Sequence, residues 1–171
     1  MDARNKPGHD GEALTQQPFI LRPYTPADED AAIGLWFRTW QQAYPDIDFS
    51  ARLEAWRQRW RDELVPAARI MVAEQNDAEA SDGDGAVIGF VTVDSTGYLD
   101  QLVVSPEQWG SDLANALITE AKRLSPAGLT LLVNSDNARA VRFYARNGFV
   151  YTHDDVNPAS GRRIQGMKWM P

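Results

Sequence analysis

The stretch that most constrains this chain runs from residue 98 to residue 134. YLDQLVV (98–104) has a strand pattern and is closed by Ser105-Pro106. A helical stripe follows, with Leu113, Ala116, Leu117, Ala121 and Leu124 at i, i+3, i+4, i+8 and i+11. LTLLVN (129–134) is then continuously apolar, which predicts a strand covered on both faces. Strand, helix and strand in this order predict a parallel crossover, and parallel pairing demands a sheet with helices laid against it.

The flanking segments fit around that unit. FILRPY (19–24) reads as a strand, and a helix is expected from Asp28 to Tyr44, closed by Pro45. Leu53, Trp56, Trp60 and Leu64 form the stripe of a second helix, which Pro66 follows. RIMVAE (69–74) and AVIGFVTV (86–93) are strand-like, and with 98–104 they predict an antiparallel meander. The acidic, glycine-bearing loop between them reads as a solvated hairpin tip. Its Asp82-Gly-Asp84-Gly resembles the start of a calcium loop but lacks the later ligands. A short helix over 138–147, capped by Asp136 or Asn137 and ended at Gly148, precedes two last strands, FVYTHDD and RIQGMKWM. The expected fold is α/β (α+β) and three-layered. Its mixed, mainly antiparallel central sheet has six to seven strands, flanked by about four helices.

Composition narrows the function. The 171 residues suit one domain, expected over 18–171 behind a disordered polar leader at 1–17 that lacks the apolar run of a secretory signal. There is no cysteine, which excludes thiol nucleophiles and disulfides, and only two histidines, so no metal site is expected. No segment has the apolar length of a membrane span, and a cytoplasmic protein is expected. The net charge of −7 argues against nucleic acid and favours cationic or amine partners.

Trp109-Gly110-Ser111-Asp112-Leu113-Ala114 stands where a strand gives way to a helix. A helix start leaves backbone N–H groups unpaired and favours anions, phosphate above all, although Ser111 or Asp112 could equally serve as an N-cap. Further on, NARAVRFYARNGFV (137–150) resembles the Asn-x-x-Ala-x-x-Phe-Tyr-x-x-x-Gly-Phe signature of the GNAT superfamily, the acetyl-CoA-dependent N-acyltransferases. Asn137, Ala140, Phe143, Tyr144, Gly148 and Phe149 all match. Beside that match, LVVSPEQWGSDLANAL looks like the acyl-CoA motif of the same superfamily. Two positions depart from it: Trp109 replaces the usual Arg or Gln, and Asp112 replaces a glycine.

The resemblance implies an N-acetyltransferase in which a primary amine of a small molecule or protein attacks the thioester directly, in a ternary complex with acetyl-CoA. It assigns the cofactor to Leu102, Val103, Val104, the amides of Trp109, Gly110, Ser111, Asp112, Leu113 and Ala114, and Asn137 and Tyr144. Tyr144 is the implied general acid toward the leaving thiolate. Alternation along the strand puts Tyr98 and Asp100 on the face of Leu102, making Asp100 the candidate base and Tyr98 a candidate acceptor contact. Trp36, Trp40 and Tyr44 share a helix stripe that serves as core, as acceptor pocket, or as both. Asp112 is expected to hinder phosphate binding, and it motivates an alternative: a catalytically inactive sensor or binding module with weakened CoA binding. The tryptophan-rich helices and the terminal strands offer a surface for a possible homodimer.

Overall fold

The computed structural model describes residues 18–76 and 86–171; the expected polar leader and the acidic hairpin tip lie outside them. The elements run β1 (Phe19–Pro23), α1 (Glu29–Ala43), α2 (Leu53–Arg59), a π-helical segment (Trp60–Leu64), the single turn α3 (Val65–Ala67), β2 (Ala68–Gln75), β3 (Val87–Asp94) and β4 (Leu99–Val104). They continue with α4 (Leu113–Leu124), β5 (Leu129–Asn134), α5 (Ala138–Arg146), β6 (Val150–Val156) and β7 (Arg163–Trp169). The order is the expected one.

The strands form two antiparallel sheets, β1-β2-β3-β4 and β5-β7-β6. Among the described residues, the parallel crossover joins them by a single bridge, Tyr98 to Thr130, rather than by a ladder. A register break in the β3–β4 pair explains how β4 leaves its neighbour. Thr92 faces Gln101 while Val93 faces Leu99, so Asp100 is the extra residue of a β-bulge. Bulges add twist and redirect a strand.

Both faces of the first sheet are covered. On one face Val72, Phe90 and Val103 pack with Trp36, Trp56 and Trp60 of α1, α2 and the π segment. On the other, Ala73, Val91 and Val104 pack with Leu113, Leu117 and Ala121 of α4 and with Tyr144 and Phe149. Alternate residues of one strand thus feed two cores, as the period of two requires. Gly89 lets α4 come close: a Cβ there would stand 3.0 Å from the Val103 carbonyl oxygen and 3.1 Å from a Leu117 methyl. That approach seats the start of α4 beside the end of β4.

The second sheet departs from expectation. In β5 only Leu129, Leu131 and Val133 are buried, whereas Leu132 is 42% exposed. The apolar run LTLLVN is therefore covered on one face, because no helix among the described residues buries its outer side. β6 is exposed along its whole length. No helix among the described residues is long and apolar enough to cross a membrane.

Candidate active site

The turn between β4 and α4 is built by three local devices. Pro106 opens a short 3-10 turn over Pro106–Gln108, with Trp109 N–H donating to its carbonyl. Gly110 then adopts φ +84°, a left-handed conformation that glycine enters without a side-chain penalty. Finally the Trp109 indole Nε1–H folds back and donates to the Val104 carbonyl at 2.9 Å.

This turn spends some of its N–H groups internally. Ser111 N–H donates to the Gln108 carbonyl at 3.0 Å, and Leu113 N–H to the Ser111 hydroxyl at 3.3 Å. No described residue accepts from the N–H groups of Gly110, Asp112, Ala114 or Asn115. Asp112 occupies the N-cap position of α4, yet its carboxylate takes no capping bond from the helix. The helix donors are therefore not taken up by the Asp112 carboxylate.

These residues line a cleft of about 580 Å³ between α1, β4, α4 and α5. It collects Trp40, Tyr44, Leu102, Val103, Val104, Trp109, Gly110, Ser111, Asp112, Ala114, Asn137 and Tyr144. Leu113 is not among them, being fully buried in the core beneath the turn. Asn137 also has its capping role, its side chain accepting from Ala140 N–H at 3.1 Å. Two cations of the cleft went unread: Arg139 and Arg146, which with Phe143 lie at i, i+4 and i+7 on α5. That helical spacing was the signal. Arg139 stacks on the Trp109 ring, 5.2 Å from its centroid. Among the described residues Asp112 is the one acid against Arg139 and Arg146 in the lining, which gives that lining net positive charge.

Tyr144 is 9% exposed, edge-on to Phe143 and Phe149. Burial pushes its phenol well above the ordinary tyrosine value, so it stays protonated. Its hydroxyl has no partner among the described residues and is not among the orphan polar atoms sealed from solvent, so it opens onto the cleft.

A second cavity, about 470 Å³, shares Trp40 and Tyr44 with the first. Trp36, Ile47, Phe49, Arg52, Trp56, Gln101, Asn134 and Arg162 complete most of its wall. Trp36 stacks on Trp56 at 4.6 Å and Trp40 on Tyr44 at 5.6 Å, so the helix stripe is core and cavity wall together. The tip of the β6–β7 turn reaches this cavity through Asn157, Ser160 and Arg162, which no local pattern in the sequence announces.

Asp100 and Tyr98 line neither cavity. The bulge breaks the alternation on which their assignment rested. Asp100 instead receives both Arg59 guanidinium nitrogens, at 3.0 and 2.5 Å, and the Gln101 amide at 2.9 Å. Tyr98 is half-buried at the bridge to β5. Gln101, not Asp100, carries β4 into the second cavity. No group of three or more potential ligands among the described residues is placed to hold a metal ion.

Comparison with known proteins follows the same lines. The family described as an acetyltransferase (GNAT) domain matches residues 41–170. The mycothiol acetyltransferase of Kineococcus radiotolerans is 34% identical over 149 residues, 84% of this chain; the chain spans only 46% of that relative. The peptidyl-lysine N-acetyltransferase YjaB of Salmonella typhimurium is 28% identical over 120 residues, 70% of this chain and 75% of that protein. Among solved structures, a GCN5-related N-acetyltransferase from Rhodopseudomonas palustris superposes with a TM-score of 0.70 at 22% identity, over 91% of this chain and 97% of its own. The PaiA N-acetyltransferase of Thermoplasma acidophilum, in complex with coenzyme A, gives 0.66 at 19%, over 91% and 100%. At such identities the likeness speaks for the fold.

Proposed function

This chain belongs to the GNAT acetyltransferase family, and from that premise we propose that it transfers an acetyl group from acetyl-CoA to a primary amine by direct attack. One observation carries the proposal: Gly110, Asp112, Ala114 and Asn115, whose N–H groups have no acceptor among the described residues, line one cleft with Arg139, Arg146 and Tyr144. Amides at a helix start with two guanidinium groups suit a diphosphate. The end of β4 suits the pantetheine arm, and Leu102 N–H is the implied donor to the thioester carbonyl, where negative charge develops during attack.

The chemistry then needs two proton movements. The amine nitrogen bonds to the carbonyl carbon, the C–S bond breaks, and the departing thiolate takes the proton of the Tyr144 hydroxyl. Burial of that phenol supports the role, since it holds the proton until a strong acceptor appears beside it. The amine's own proton leaves to solvent, and the Tyr144 oxygen recovers a proton from solvent to close the cycle; among the described residues the lining of the second cavity contains no carboxylate. Asp100 bears on this step only by orienting Gln101.

The rival reading, a binding module without catalysis, rested on Asp112. Its carboxylate leaves the helix donors uncovered and has two arginines in the same cleft, which favours the enzyme. Release of free CoA from acetyl-CoA with a panel of amines separates the two. Turnover lost in Tyr144→Phe and raised in Asp112→Gly supports the transferase. Silence with every amine, unrelieved by Asp112→Gly, leaves the binding module.

A further inference from the structure

Among the described residues, the second cavity is lined by two arginines and no carboxylate, in a chain of net charge −7. Such a local excess of positive charge runs against the protein's overall field. Each guanidinium is held on an aromatic face: Arg52 lies 5.4 Å from the Phe49 centroid and Arg162 lies 4.9 Å from that of Tyr44. Arg162 meets Asp136 at 3.4 Å in a largely exposed pair, and Arg52 has no carboxylate partner among the described residues. Gln101 and Asn134 add neutral polar groups, and Asn134 donates to the Tyr44 hydroxyl at 3.1 Å.

Stacking on a ring leaves the edge of a guanidinium, with its N–H fork, free for a planar anion. The aromatic walls between the two arginines suit an apolar or planar body. A polycation entering here meets like charge, and Asp136, the acid beside Arg162, stands outside the lining. The net acidity of the chain, which taken alone favours cationic partners, is overruled at this cavity by its own lining.

We propose that the acceptor is a small amine that also carries an anionic group, a carboxylate or a phosphate, on an apolar or aromatic body, with Arg52 and Arg162 as its specificity residues. This rests on the acetyltransferase reading above, but the cavity's preference can be measured without turnover. Trp36, Trp40 and Trp56 stand in its wall, so their fluorescence reports occupancy directly.

The test compares L-phenylalanine, its carboxamide, phenethylamine, the phosphonate analogue of phenylalanine, and spermidine. CoA release is measured alongside tryptophan quenching in the absence of acetyl-CoA. The acid is expected to exceed its carboxamide by about tenfold in kcat/KM, mostly through KM, as a charge-assisted pair exceeds a neutral one. The phosphonate arm shows which anion is preferred. Arg52→Gln with Arg162→Gln should bring acid and carboxamide to parity, and the Arg→Lys pair should restore part of the preference. Unchanged acetyl-CoA affinity verifies that the variants fold. If the uncharged amines or spermidine are used as well as the acid, the inference falls while the transferase reading stands. If no amine releases CoA, the transferase reading falls. The inference then survives only on quenching that saturates with the anionic amines and disappears in the double Gln variant; equal quenching by all amines overturns it.

Discussion

The indole N–H of Trp109 donates to the carbonyl of Val104 at 2.9 Å, tying the turn that begins α4 to the last residue of β4. A carbonyl oxygen has two acceptor sites, so this bond leaves one for a ligand while fixing the strand end in place. The same ring carries Arg139 on its face. Trp109 thus holds both the backbone and the cation on the donor side of the cleft.

Trp109→Phe keeps an aromatic face, smaller than the indole, and removes the N–H. It is expected to raise the KM for acetyl-CoA about three- to tenfold, the cost of one net hydrogen bond, with kcat nearly unchanged. Steady-state kinetics in acetyl-CoA decide this; a fall in kcat at constant KM would place the ring in the chemistry instead of the scaffold.

Asp112→Asn should tighten acetyl-CoA about fivefold at low salt, because a charge near the diphosphate is removed while the helix entrance is kept. Calorimetry across a salt series checks the electrostatic origin: the gain should shrink as ionic strength rises. Equal affinities in water-like and high-salt buffers would mean that the carboxylate faces away from the ligand.

Tyr144→Phe should lower kcat by about a hundredfold, the scale of one positioned acid, with little change in acetyl-CoA affinity. Stability should hardly move, since the hydroxyl has no partner among the described residues to strand. Burial raises the phenol, so the catalytic proton is retained throughout the range in which an ordinary tyrosine holds it. The pH profile of kcat should therefore show no loss from Tyr144 below about pH 10. A limb near pH 8 that vanishes in the Phe variant would contradict this.

Far from the cleft, Asp28 accepts from both Arg22 guanidinium nitrogens at 2.8 Å and from Thr25 N–H at 2.9 Å. These bonds, the Arg22 pair foremost, hold its carboxyl below the usual range. Its stabilisation is complete above the unfolded carboxyl value of about 4 and is lost as pH falls through the lower folded value. Asp28→Asn should cost about 2–3 kcal/mol at pH 7, and urea unfolding should show the gap closing under acid conditions. A gap independent of pH would assign the loss to packing.

Periodicity made the element order legible. The α4 stripe predicted from Leu113, Leu117 and Ala121 is the face that is buried, and the turn at Gly110 lines a cleft. Asp100 escaped because a bulge is a pairing event between strands: nothing within YLDQLVV marks the residue that slips out of register. The apolar run of β5 misled for a related reason, since exposure of Leu132 depends on the helices above the sheet and not on the strand itself. Arg52 and Arg162 come from separate turns that meet only in the folded chain. Motif positions could be found even across elements, whereas side chains outside any motif, Arg139 and Arg146 on α5 included, could not.

Trp40 and Tyr44, stacked at 5.6 Å, belong to both cavities. Whatever settles on one side of this party wall restricts the rings that the other side must accommodate. On the proposed assignment of donor to one cavity and acceptor to the other, each is expected to change the other's dissociation constant, by reciprocity by the same factor. An enzyme built this way tends toward a preferred order of loading, and replacing either ring should uncouple the two before it abolishes either.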